Sequence, residues 1–171
     1  MNRSVRTLVL GIGNPLRGDD GAGRVVARLL RGRVGDQVRV AEHGGEATSL
    51  LAHIEGAAVA YLIDACVSGA PAGTVRRFDA GTMSLPPMGS DISTHGFGLA
   101  AALALGRVLG RLPARTIVFT IEGASFGSGE GLSAPVEAAA ADVAGRVEAE
   151  IISSPPQDIE ASGNRRAAAP S

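Results

Sequence analysis

The chain has 171 residues, with 16 Lys+Arg against 17 Asp+Glu, and every one of those cations is arginine. The absence of lysine excludes a phosphate loop of the Walker type and any Schiff-base chemistry, because both need the amine. A single Cys excludes an intrachain disulfide and every multi-cysteine zinc site, while a net charge of -1 and 3% aromatic residues argue against a nucleic-acid partner.

Thr7–Ile12 is a short apolar run bounded by glycine and reads as a buried first strand. Gly13–Asp20 is a turn-rich loop. The stripe Ala22, Val25, Val26, Leu29, Leu30 has helical spacing, with Arg24, Arg28 and Arg31 on the other face. Gln37–Ala41 alternates as a second strand, and Glu46–Ile54 is a short helix. Ala57–Ala65 is a continuous apolar run that meets Asp64 near its end, the pattern of a central strand. Gly73–Phe78 is a fourth strand and Ala80–Ser93 a loop. Phe97–Leu109 is apolar nearly all round, hence a buried helix. Arg115–Glu122 is β-branched and aromatic, hence a strand. Gly123–Leu132 is a glycine-rich loop. Ser133 is positioned to cap a last helix carrying the stripe Val136, Ala140, Val143, Val147, Ile151, with Pro135 in its first turn.

Strands alternating with helices predict an α/β fold: three layers, with a twisted, mostly parallel sheet of about five strands sandwiched by helices. One domain is expected over residues 1–152, followed by a Ser/Pro/Ala-rich tail over 153–171 that composition predicts to be disordered. No run approaches the roughly 18 apolar residues of a membrane span, and the short apolar run after Arg6 is unlike a signal peptide. The expected compartment is the cytoplasm, with neither membrane nor nucleic acid as partner.

In an open α/β sheet, ligands bind beyond the carboxyl ends of the strands. Gly11-x-Gly13 suggests a dinucleotide fingerprint with Glu42 as ribose ligand, but Leu16 stands where the third glycine belongs. Asp19 and Asp20 would also repel a pyrophosphate at the helix start. One of these two acids suffices as a helix cap. Asp20, Asp64 and His95 supply two carboxylates and an imidazole from three loop or strand ends. Such a set suits a divalent metal with positions left open for substrate or water. The plainer readings are a cap for Asp20, a turn residue for Asp64 and a loop residue for His95. His43 follows the second strand and rims the same cleft, whereas His53 falls on the surface of the short helix. Cys66 is a nucleophile candidate, with a buried core thiol as the plainer reading.

At these residues the chain resembles the hydrogenase maturation proteases. Four blocks carry the likeness: Gly11-Ile12-Gly13-Asn14-Pro15-Leu16-Arg17-Gly18-Asp19-Asp20-Gly21; Asp64-Ala65-Cys66-Val67; Ser93-Thr94-His95-Gly96-Phe97-Gly98-Leu99; and Ile121-Glu122 followed by Gly131-Leu132-Ser133. The resemblance implies an endopeptidase that removes the C-terminal extension of a nickel–iron hydrogenase large-subunit precursor after nickel insertion. It places the metal-binding and catalytic triad on Asp20, Asp64 and His95, with nickel presented by the precursor. Another divalent metal in the free protein is compatible with the same set. Arg17, Gly44 and Gly45 are candidate substrate-binding residues, with the loop Gly123–Gly131 as a further acceptor for the tail. The chain departs from the family pattern in having aspartate at Asp20, where glutamate is common, and His43 before the glycine pair, where an acid is common. The alternatives are a non-proteolytic nickel-dependent chaperone for such a precursor and another metal-dependent amide hydrolase. A monomer is expected.

Overall fold

The computed structural model describes residues 7–81, 97–129 and 131–154. The expected α/β architecture is present. The five strands are β1 (Thr7–Ile12), β2 (Val38–His43), β3 (Val59–Cys66), β4 (Val75–Asp79) and β5 (Arg115–Glu122). The helices are α1 (Ala22–Leu30), α2 (Ala47–Ile54), α3 (Phe97–Val108) and α4 (Ala134–Ser153), with a 3-10 turn over Gly18–Gly21 ahead of α1. The strand order is β2-β1-β3-β5-β4, parallel except for β4, which pairs antiparallel with β5.

Two cores flank the sheet, and the period of two along each strand sorts side chains between them. Val9, Tyr61, Ile63, Ala65, Phe119 and Ile121 pack with α1 and α4. Leu8, Leu10, Ile12, Ala60, Leu62 and Val118 pack with α2 and α3. Each of β1, β3 and β5 is almost wholly buried, because helices cover both faces. That is why these strands read as unbroken apolar runs.

β1 and α1 touch backbone to backbone. A Cβ on Gly11 would lie 2.1 Å from the Gly23 carbonyl oxygen, and one on Gly23 would lie 2.2 Å from that of Ile63. Glycine is required at both positions because any side chain would wedge the helix off the sheet. Among the described residues, no helix is long and apolar enough to cross a membrane.

Two local readings change. His43 is the last residue of β2, not a residue beyond it, since it pairs with Ile12 and its carbonyl accepts the Gly13 N–H at 3.0 Å. Ser133 occupies the cap position of α4, but its side chain makes no capping hydrogen bond. Its hydroxyl donates instead to Asp19 Oδ2 at 2.9 Å, because that buried carboxylate needs donors.

A two-carboxylate cleft at the strand ends

The chain runs from β1 outward to β2, then returns past β1 to β3, so the order reverses between β1 and β3. Such a reversal opens a crevice beyond the strand ends, where the connections diverge to opposite faces of the sheet. A cleft of about 180 Å³ lies there, lined by Ile12, Gly13, Asn14, Arg17, Asp20, Gly44, Gly45, Asp64 and Leu99. Asp20 and Asp64 are thus brought together, and Arg17, Gly44 and Gly45 border the same space. His95 lies outside the described residues, as does the loop before it from residue 82 onward, and so does the tail from 155.

Asp64 is buried within β3. Among the described residues its carboxylate takes one hydrogen bond, from the Ala65 N–H to Oδ1 at 2.9 Å. Burial first, and the charge of Asp20 second, push its carboxyl up to about 7. Asp20 is also buried, and its Oδ2 accepts the Asn14 N–H at 3.1 Å. Among the described residues one backbone N–H donates to each carboxylate, and the charge of Asp20 opposes ionisation of Asp64. Oxygen ligands of this kind suit a divalent cation. Among the described residues, no three His, Cys, Asp or Glu side chains gather as a ligand set.

The neighbouring acids have other tasks. Asp19 accepts from Ala124 N–H (2.8 Å), Ser125 N–H (2.9 Å), Ser133 N–H (2.7 Å) and the Ser133 hydroxyl (2.9 Å). Burial works against its charge, but these donors outweigh it and hold the carboxyl below the usual range. Glu122, at the end of β5, accepts from Ser68 N–H, the Ser68 hydroxyl, Gly69 N–H and the Cys66 thiol. Glu42 faces Arg24, Arg28 and Arg31 at 3.7, 2.9 and 2.9 Å, so it is an arginine hub and not a ribose ligand.

Cys66 is buried, and burial followed by the Glu122 carboxylate pushes its thiol up to about 12. A thiol held in that form is not a nucleophile. None of the described residues of the loop from Gly123 is among those lining the cleft. The loop packs against the turn before α1, where Ser125 O accepts the Asp19 N–H at 2.7 Å and Gly129 N–H donates to Leu16 O at 2.9 Å. His53 is half-buried and meets His43 edge-on, with ring centroids 5.0 Å apart. Its place on a short helix reads as surface; only packing reveals the contact.

Residues 24–150 match the family model HycI, described as hydrogenase maturation protease. The chain belongs to the hydrogenase maturation protease family. It is 31% identical over 124 residues to the hydrogenase expression/formation protein HupD of Thiocapsa roseopersicina, a match that takes in 71% of this chain and 56% of that protein. The chain therefore spans about half the length of the curated relative it matches. The hydrogenase maturating endopeptidase HybD from E. coli superposes with a TM-score of 0.72 at 26% identity, covering 88% of this chain and 94% of that one. The NiFe hydrogenase maturation protease HybD from Thermococcus kodakarensis shares the fold, with a TM-score of 0.65 at 24% identity over 84% and 97% of the two chains. The family is the one the sequence resembles, and the sheet order brings the first two of the four blocks together at one crevice.

Proposed function

We propose that this chain is an endopeptidase that removes the C-terminal extension of a nickel–iron hydrogenase large-subunit precursor once nickel has been inserted. The observation that carries the reading is the Asp20–Asp64 pair facing one open cleft, in a chain of this family. Nickel enters as part of the substrate, engaged by Asp20, Asp64 and His95. A cation beside the pair favours the charged form of both carboxylates and so releases the proton that burial keeps on Asp64.

In the reaction, water adds to the scissile carbonyl carbon and gives its proton to Asp20 or Asp64. The peptide C–N bond breaks, and that proton passes to the departing amine. The products are a new C-terminal carboxylate and the free tail. Arg17 orients a carbonyl or carboxylate of the substrate, and Gly44 and Gly45 let the tail's backbone approach closely.

The test is incubation of the purified chain with nickel-loaded and nickel-free precursor, read by intact mass. Loss of the tail from the loaded form alone is expected, and Asp64→Asn or His95→Ala should abolish it in folded protein. Tight binding with an intact precursor would favour the chaperone, and turnover of small amides without precursor would favour another amide hydrolase. Full processing by either variant would remove that residue from the triad.

A further inference from the structure

His43 ends β2 beside the cleft without lining it. Its ring Nδ1 accepts the Gly45 N–H at 2.9 Å, and its Nε2 lies 2.6 Å from Ser49 Oγ. A neutral imidazole has one acceptor nitrogen, and here that is Nδ1. The proton therefore sits on Nε2, which donates to Ser49. This arrangement cannot take a proton from the serine, so the pair is not an activated nucleophile. It is a tether between β2, the glycine pair and α2.

The tether acts on cleft walls. The His43 carbonyl holds Gly13, and its ring holds Gly45. Both glycines border the cleft, and both have positive φ, +131° at Gly13 and +99° at Gly45. A backbone in that region has no side-chain packing of its own to keep it there. On its far side Gly45 is pressed by α3, where a Cβ on Gly98 would lie 1.5 Å from the Gly45 oxygen. Among the described residues, Gly45 is thus held by one hydrogen bond on one side and a backbone contact on the other. Loss of the hydrogen bond frees the Gly44–Gly45 wall while leaving Asp20 and Asp64 in place.

We propose that His43 is a positioning residue that sets the Gly44–Gly45 wall to receive the extended C-terminal tail of the substrate. The inference rests on the endopeptidase reading and assigns its tail-binding wall. It predicts an effect on substrate binding separable from the chemical step.

Two near-isosteric replacements divide the ring's tasks. In His43→Asn the amide oxygen stands near the position of Nδ1 and still accepts from Gly45. In His43→Gln the terminal amide reaches toward the position of Nε2 and keeps Ser49, but not Gly45. Steady-state processing of nickel-loaded precursor should show His43→Asn close to wild type. His43→Gln should raise KM about tenfold, the scale of one lost hydrogen bond, with kcat within about twofold. Amide exchange read by NMR should show Gly45 N–H slow in the wild type and His43→Asn, and fast in His43→Gln. A wild-type KM in His43→Gln, equal losses in both folded variants, or fast Gly45 exchange in the wild type would each overturn the proposal. Absence of processing by the wild type, with Gly45 still protected there, would instead overturn the endopeptidase reading. The substrate side of this inference would fall with it.

Discussion

Asp19 and Asp20 are neighbours in one 3-10 turn, yet their carboxylates serve different parts of the molecule. Asp19 gathers donors from Ala124, Ser125 and Ser133, while Asp20 meets Asn14 and borders the cleft. Opposite phenotypes follow. Asp19→Ala should cost at least about 3 kcal/mol in urea unfolding at pH 7, because several buried donors lose their acceptor. Asp20→Asn should unfold near the wild-type midpoint and fail to process precursor. Asp19 has a lowered pKa when folded, so its contribution is present above the unfolded value near 4 and is lost as pH falls through the folded value.

Asp64 reverses that sign. Its carboxyl is pushed up to about 7 in the fold, so protonation favours the native state. The stabilisation is complete below the unfolded value and disappears as pH rises through about 7. Asp64→Asn removes the charge and should melt several degrees above the wild type at pH 8, with the gap narrowing as pH falls and closing only below about pH 4, the unfolded value. The same variant should not process precursor. A melting temperature at or below that of the wild type at pH 8 would contradict the burial of an ionised carboxylate at this position.

Cys66 should behave as core. Iodoacetamide at pH 8 should leave it unmodified in folded protein and alkylate it after denaturation, as expected for a buried thiol pushed up to about 12. Cys66→Ala should retain processing within about twofold, at a stability cost of about 1–2 kcal/mol. Rapid alkylation of the native state, or loss of turnover, would restore the thiol as a nucleophile.

Gly23→Ala should be among the most damaging single-methyl additions in the chain. The new carbon would lie 2.2 Å from the Ile63 oxygen and 2.5 Å from that of Ile12, both backbone atoms with no rotamer to yield. A loss of about 3 kcal/mol or more is expected in chemical unfolding. Gly35→Ala, which meets nothing within 4 Å, is the control and should stay within about 0.5 kcal/mol of the wild type.

His43 adds an acid limit. Burial lowers its pKa, helped by His53 from α2 and Arg24 from α1 and opposed by Glu46 ahead of α2. Its folded value lies below the unfolded one near 6.5, so stability is full above that pH and falls as pH drops through the folded value. Protonation turns Nδ1 from acceptor to donor and expels Gly45. The protection factor of the Gly45 amide, taken relative to its intrinsic exchange rate at each pH, should therefore fall on acidification before global unfolding, and His43→Asn should lack this step.

The elements were legible because burial is written locally. Three central strands lie between helix layers and read as apolar runs, while α1 shows its arginines every three or four residues. Asp64 was legible for a related reason: a charge near the end of an apolar strand calls for a special environment. Asp20 was legible only as one of two acids. Nothing in the run Gly18-Asp19-Asp20-Gly21 distinguishes them, because the donors that claim Asp19 lie 105 to 114 residues downstream.

The sequence by itself determined the layer architecture, the family and the unusual place of Asp64, since periodicity, glycine placement and motif order are written along the chain. Tertiary structure alone decided which polar groups are available and which are already satisfied. Asp19, Glu122 and Glu42 are acids like Asp20 on paper, but each is claimed by donors or arginines brought in from elsewhere in the chain. His43 became a tether only when β2, the Gly44–Gly45 turn and α2 met around its ring. A hydrogen bond depends on distance in space, and the fold sets that distance between residues that the sequence leaves far apart.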